Sequence, residues 1–230
     1  MVELDAIRRE VCDLHSELPR NGLVVWTSGN VSARLQAPQR KLGLRGGGQD
    51  ELMVIKPSGV PYEELTPDAM VVCDLDGNAV DGSLTPSSDA ATHGYIYSHL
   101  PDVGGIVHTH SPYATAWAIR GEPIPCVMTA IADEFGGEIP VGPFALIGDE
   151  ELGRGVVETL AGRRSRAVLM RAHGVFALGE GPREAVKSAV MCEDAARVVH
   201  VARSMGPLEP LDPDSIDALY HRYQKVYGQH

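Results

Sequence analysis

Apolar and polar positions along the chain follow two rhythms. Ile7, Val11, Leu14 and Leu18 recur at spacings of four, three and four, which places them on one face of a helix. Further helices are expected over about 89–100, where Ser88 can cap the start and Pro101 follows the end, and from Ser111-Pro112 to Gly121. Three more run from Asp149 to Leu160 with Gly162 just beyond, from Pro182 to near Gly206, and over 213–226. Short runs with strand character lie between them: GLVVWTS (22–28), VSARL (31–35), ELMVIKP (51–57), AMVVCDL (69–75), GGIVHTH (104–110), AVLMRAH (167–173) and VFALGE (175–180). Asp76-Gly77 offers a tight turn after the fourth. Strands interleaved with helices predict an α/β domain with helices on both faces of one sheet. Adjacent strands joined by tight turns make that sheet mixed rather than purely parallel. Residues 36–50, QAPQRKLGLRGGGQD, break the pattern and are expected to be a flexible insertion between two strands. Nothing else resembles a linker, so residues 1–230 are expected to form one domain.

Composition narrows the function classes. The 230 residues are 43% hydrophobic and 22% charged, ordinary for a globular protein. No apolar run approaches the roughly 18 residues that span a bilayer, and the acids within the first fifteen residues are unlike a signal peptide. A cytoplasmic, non-membrane protein is the expectation. The net charge of −11 lacks the footprint of a nucleic-acid binder, so Arg163, Arg164 and Arg166 are read as a solvated turn. Cys12, Cys73, Cys126 and Cys192 contain no C-x-x-C pair and read as inert thiols.

Histidines carry the first sign of chemistry. His108 and His110 flank Thr109 at the end of an apolar run, and in a strand the period of two sends both imidazoles to the same side. Such a pair makes a two-point ligand for a borderline metal, or a pair of hydrogen-bonded sheet histidines. His173 closes another apolar run and precedes Gly174; with it the set reaches the three protein ligands of a catalytic site. Asp89, at the first turn of the helix after Ser88, is a candidate fourth ligand or a residue compensating the helix dipole. His93, one turn later, supports the ligands or packs in the core. Zinc is the default metal for such a set, with Mn²⁺ and Co²⁺ also compatible.

Three short segments suit an anion: Ser28-Gly29-Asn30, Lys56-Pro57-Ser58-Gly59 and Pro86-Ser87-Ser88. Their glycines admit close backbone approach, their hydroxyls donate, Lys56 adds a point charge, and a helix N-terminus favours negative charge. Ser88 adjoins Asp89, so an anion pocket is expected beside the metal. In a chain this acidic, the anion must be held by such local donors against the overall field.

S-G-N-V-S (28–32), I-K-P-S-G (55–59), P-S-S-D (86–89), H-T-H-S-P-Y-A-T (108–115), A-H-G (172–174) and K-V-Y-G-Q (225–229), in this order, resemble the class II aldolase/adducin family. The resemblance implies a three-layer αβα sandwich with a mixed central sheet, assembled as a homotetramer with active sites between subunits. It implies zinc on His108, His110 and His173 with Asp89. It places a substrate phosphate on Gly29, Asn30, Lys56, Ser58, Gly59, Ser87 and Ser88. It puts a catalytic acid/base pair on Asp133 and Tyr227, the tyrosine from an adjacent subunit.

The implied activity is epimerisation of L-ribulose 5-phosphate and D-xylulose 5-phosphate by cleavage and re-formation of C3–C4. An aldolase of the L-fuculose-1-phosphate type is the alternative, and an adducin-like interaction protein a third. P-S-S-D, with aspartate rather than glutamate, favours the epimerase branch. A-I-A-D-E-F-G-G around Asp133 lacks that branch's flanking histidine and tyrosine, and the following G-G-E-I-P-V-G-P-F-A is similar to the aldolases. His221 is a candidate stand-in for a histidine that epimerases carry near their C-terminus.

Overall fold

The computed structural model describes residues 2–35, 51–147 and 150–226. The helices are α1 (Val2–His15), α2 (Glu17–Arg20), α3 (Ala90–His99), α4 (Pro112–Arg120), α5 (Thr129–Phe135), α6 (Glu150–Leu160), α7 (Pro182–Met205) and α8 (Pro213–Val226). The strands are β1 (Asn30–Leu35), β2 (Leu52–Ile55), β3 (Val71–Asp74), β4 (Ala79–Asp81), β5 (Gly105–Thr109), β6 (Val141–Gly142), β7 (Ala167–Met170) and β8 (Val175–Gly179). They form one sheet in the order β4-β3-β2-β1-β5-β8-β7-β6. Every pairing is antiparallel except β6 with β7, so the sheet is mixed as expected.

Alternation along the strands builds two cores. Val31, Ala33, Val54, Val107, Leu169, Val175 and Ala177 face one layer with α1, α4, α5 and α7. Met53, Ile55, Ile106, Val168, Met170, Phe176 and Leu178 face the other with α3 and α6. Successive side chains on a strand point to opposite faces, so a sheet covered on both sides needs apolar residues at nearly every position. These continuous runs are therefore what a three-layer αβα sandwich requires. Among the described residues no helix is long and apolar enough to cross a membrane.

The sequence pattern misplaces some elements. Residues 22–28 are not a strand: Val25 and Trp26 are exposed, Trp26 has φ +58°, and Ser28 Oγ bonds the Val25 carbonyl at 2.7 Å to close a turn. The run is apolar, but its local bonds form a loop that leads into β1. The seven-residue α5 has no forecast in the pattern, being too short to display a helical period. His173 lies in the turn after β7, not on the strand. The 36–50 insertion and Asp149 fall outside the described residues. Arg163, Arg164 and Arg166 are surface residues paired with Glu138, Asp217 and Glu180, and the four cysteines are unpaired.

Two histidines are sealed in the layers. His15 Nδ1 donates to the Val11 carbonyl at 2.7 Å, and its Nε2 accepts the Val31 N–H at 2.9 Å, which ties α1 to the start of β1. His93 Nδ1 meets Ser32 Oγ at 2.7 Å, and that hydroxyl meets Tyr97 at 2.8 Å. Burial pushes both imidazoles down to about 3. Below pH 6.5 the unfolded chain protonates these groups while the folded chain does not. Each therefore lowers stability by about 1.4 kcal/mol per pH unit on acidification through this window. Urea midpoints measured with a chelator present should fall steeply between pH 7 and pH 5; equal midpoints would contradict this account.

Candidate metal and anion site

The site forms where β5, the β7–β8 turn and the N-terminus of α3 converge at one end of the sheet. His108 is on β5, opposite Asn30 of β1 and Phe176 of β8. Its Nδ1 lies 2.9 Å from the Val175 carbonyl. A carbonyl can only accept, so Nδ1 carries the proton and the lone pair is on Nε2. The ring stacks on Phe176 with centroids 4.4 Å apart and planes 19° apart. Orientation and tautomer of His108 are thereby fixed from the core side.

His110 follows two residues on, with its Nε2 2.9 Å from that of His108. His173 joins them from the β7–β8 turn, its ring centroid 4.8 Å from His108 and 5.1 Å from His110. The turn is held by Met170 N–H to the Gly174 carbonyl at 2.8 Å and His173 N–H to the Met170 carbonyl at 3.0 Å. Ala172 takes φ +56°, with its N–H on the Ala118 carbonyl of α4. A left-handed alanine costs of order 1 kcal/mol, which the surrounding bonds offset while they aim His173 inward.

One nitrogen from each of the three rings lies within 4.8 Å of the others. This donor set fits a divalent cation on two observations. Two Nε2 atoms face each other at hydrogen-bond distance, where paired lone pairs repel unless a proton or a cation lies between them. His173 Nδ1 is buried without a protein partner, a costly state for a polar atom. Burial, reinforced by the neighbouring rings, pushes His173 down to about 4 and also lowers His110. These two rings therefore stay neutral and able to ligate at physiological pH.

Asp89 sits at the N-cap of α3 and lines the same cleft, but the tight cluster consists of the histidines alone. Burial works to raise its carboxyl; His108, His93, the Asn30 hydrogen bond and His173 outweigh burial and hold it below the ordinary range. Asn30 Nδ2 donates to Asp89 Oδ2 at 2.7 Å and to Ser87 Oγ at 3.0 Å. The amide thus locks the carboxylate beside the imidazoles.

The cradle segments meet around this group. Ser58 N–H bonds the Thr85 carbonyl and Ser87 N–H the Lys56 carbonyl, both at 2.9 Å, which zips 56–58 against 85–87. Lys56 is buried, and its ammonium donates to the Thr27 and Pro57 carbonyls at 3.2 and 3.3 Å. An ammonium has three donors, so one remains for a ligand. Gly29, Asn30, Lys56, Ser58, Gly59, Ser87, Ser88, Asp89, His108, His110 and His173 all line a cleft of about 300 Å³. Gly29 has φ +77°, and a Cβ there would lie 2.8 Å from the His108 carbonyl, so the loop reaches the strand only with glycine.

Asp133 is on α5 and does not line the cleft of its own chain. Tyr227 falls outside the described residues, and His221 is an exposed residue of α8. Sequence reasoning missed Thr27 and Ile147 in the cleft wall. Thr27 adjoins S-G-N and could have been included; Ile147 follows an apolar stretch, Phe144 to Leu146, with no chemistry of its own to mark it.

Residues 9–200 match the class II aldolase and adducin N-terminal domain. The chain belongs to this family. An L-ribulose-5-phosphate 4-epimerase, UlaF, of Salmonella paratyphi B is 42% identical over 239 residues, spanning 98% of this chain and 100% of that one. The protein of the same name from Salmonella typhi is equally similar. Among solved structures, an L-fuculose 1-phosphate aldolase superposes with a TM-score of 0.83 at 28% identity, covering 95% of this chain and 96% of that one. The L-fuculose-1-phosphate aldolase from Thermus thermophilus gives 0.67 at 25% identity, covering 90% and 99%.

Gly174 tests how tightly this class II aldolase fold holds its ligand set. A Cβ there would lie 2.4 Å from the Thr109 carbonyl, 2.9 Å from the His110 ring and 3.2 Å from the His108 ring. Gly174→Ala is expected to displace the imidazoles and weaken divalent-metal affinity by about tenfold or more, the scale seen when ligand support is lost. Ala172→Gly, which relieves a left-handed alanine, should leave affinity unchanged. Isothermal titration of the chelated variants with Zn²⁺ checks both; wild-type affinity in Gly174→Ala would show that the packing is not limiting.

Proposed function

We propose that the chain is a metal-dependent epimerase, interconverting L-ribulose 5-phosphate and D-xylulose 5-phosphate as a cytoplasmic homotetramer. The observation that carries this reading is the adjacency of a histidine trio and an anion cradle in one cleft, within a chain 42% identical end to end to such epimerases.

His108, His110 and His173, joined by Asp89, would hold the metal, with zinc favoured by the imidazole-rich set and Mn²⁺ or Co²⁺ compatible. The cation supplies positive charge to substrate oxygens that become negative as carbon–carbon bonds break. The protein's own groups do the rest. Lys56 and the hydroxyls of Ser58, Ser87 and Ser88 grip the phosphate, while the ionised Asp89 stays fixed by Asn30. A base removes the C4 hydroxyl proton, C3–C4 breaks, and its electron pair stays on C3 in conjugation with the C2 carbonyl. The phosphate grip retains the aldehyde fragment while its carbonyl presents the opposite face. The pair then returns to C4, and an acid returns the proton to oxygen. Asp133 and Tyr227 are assigned as this acid/base pair, the tyrosine brought to the cleft from an adjacent subunit.

The structural likeness to L-fuculose 1-phosphate aldolase at a TM-score of 0.83 supports a second reading, in which the aldehyde leaves. The two part on retention of that fragment. Incubated with L-ribulose 5-phosphate, the metal-loaded chain should yield D-xylulose 5-phosphate without free aldehyde, and it should release little dihydroxyacetone phosphate from L-fuculose 1-phosphate. Steady release from the fuculose ester, with no pentulose interconversion, would transfer the assignment to the aldolase.

Asp133→Asn should lower kcat by about a hundredfold or more, the usual scale for losing a general acid or base, with bound metal unchanged. Full activity in that variant would remove Asp133 from the mechanism.

A further inference from the structure

Tyr62 lies outside the cleft wall yet touches two of the three segments of the anion cradle. It opens a short 3₁₀ turn, Tyr62–Glu64, after Pro61. Its hydroxyl lies 2.7 Å from the Ser28 carbonyl oxygen and 3.1 Å from that of Gly29. Its ring centroid is 5.4 Å from Lys56 Nζ, within range of a cation–π contact. The imidazole of His15 backs the ring at 6.1 Å. Burial raises the phenol well above its ordinary value, so it remains a proton donor throughout the working pH range.

We propose that Tyr62 is a positioning residue for the substrate phosphate: its hydroxyl sets the 27–30 loop and its ring face seats the Lys56 ammonium. In a trans peptide the carbonyl and the N–H point in opposite directions. Holding the Ser28 carbonyl on Tyr62 therefore leaves the Gly29 N–H turned away from it, in a loop that lines the cleft. Lys56 has two donors on the Thr27 and Pro57 carbonyls, and the ring face limits where its third can point. One side chain thus sets both the charged donor and the loop donors of the anion site. The inference rests on the reading of this cleft as a sugar-phosphate site.

Inorganic phosphate is the probe, titrated into the metal-loaded full chain and into Tyr62→Phe, Tyr62→Leu and Ser58→Ala. Tyr62→Phe keeps the ring and loses the hydroxyl, so its dissociation constant should rise about three- to tenfold, the range for one lost hydrogen bond. Tyr62→Leu loses both functions and should bind more weakly still. KM for L-ribulose 5-phosphate should follow the same order, with kcat within about twofold and metal content unchanged, the signature of lost uniform binding. A purely structural role would lower the thermal midpoint and leave the phosphate affinity of the folded chain untouched. Wild-type phosphate affinity in both Tyr62 variants, alongside weakened binding in Ser58→Ala, overturns this inference alone. A wild-type chain that binds no phosphate, with an unchanged KM in Ser58→Ala, overturns the cradle reading and the inference with it.

Discussion

His108 donates from Nδ1 to the Val175 carbonyl across the pairing of β5 with β8, and the site is organised around that bond. It fixes which nitrogen carries the proton and which lone pair faces outward. It also joins the two elements that deliver the other ligands, because His110 leaves the end of β5 and His173 enters just before β8. Phe176, stacked on the same ring, belongs to the core between the sheet and the α3–α6 layer. The ligand geometry is therefore an extension of ordinary sheet packing. His108 stands on the strand itself, and His110 and His173 stand at strand ends, so the placement of all three follows the register of β5 with β8.

A second constraint brings charge to that fixed point. β1 lies beside β5 and places Asn30 opposite His108, while α3 brings Asp89 to the same place with its N-terminus directed at the cleft. Asn30 joins the two by donating to Asp89 and Ser87. The net charge of −11 works against an anionic ligand at long range. Fixed donors at short range would act against that field, since screening weakens interactions beyond about 8–10 Å at ordinary salt. The same cleft thus holds a cation-seeking and an anion-seeking half a few residues apart.

Much of this was legible in the residues, for identifiable reasons. β5 and β7 read clearly because buried strands are continuous apolar runs with chemistry at their ends, and H-T-H shares a face through the period of two. The residues named for metal and phosphate all reached one cleft because motif spacing reports backbone geometry that glycine, serine and proline strongly restrict. Gly22 to Ser28 misled for the converse reason: Leu23, Val24, Val25 and Trp26 form a strand-like apolar run, yet Val25 and Trp26 are exposed in a turn closed by Ser28. Helix α5 was too short to show a period. Tyr62 gave no signal, since its role depends on Ser28 and Gly29, more than thirty residues away in sequence and adjacent only in the fold. Tyr227 lies beyond the described residues, and Asp133 sits on the short α5, away from the cleft of its own chain.

Three imidazoles, from β5, its C-terminal end and the β7–β8 turn, are expected to share one divalent cation. X-ray absorption at the zinc edge, on the chain loaded with one equivalent of Zn²⁺, addresses it directly. The expected result is a first shell of nitrogen and oxygen at about 2.0–2.1 Å with outer-shell scattering from three imidazoles. A sulfur shell near 2.3 Å, or scattering from a single imidazole, would contradict it.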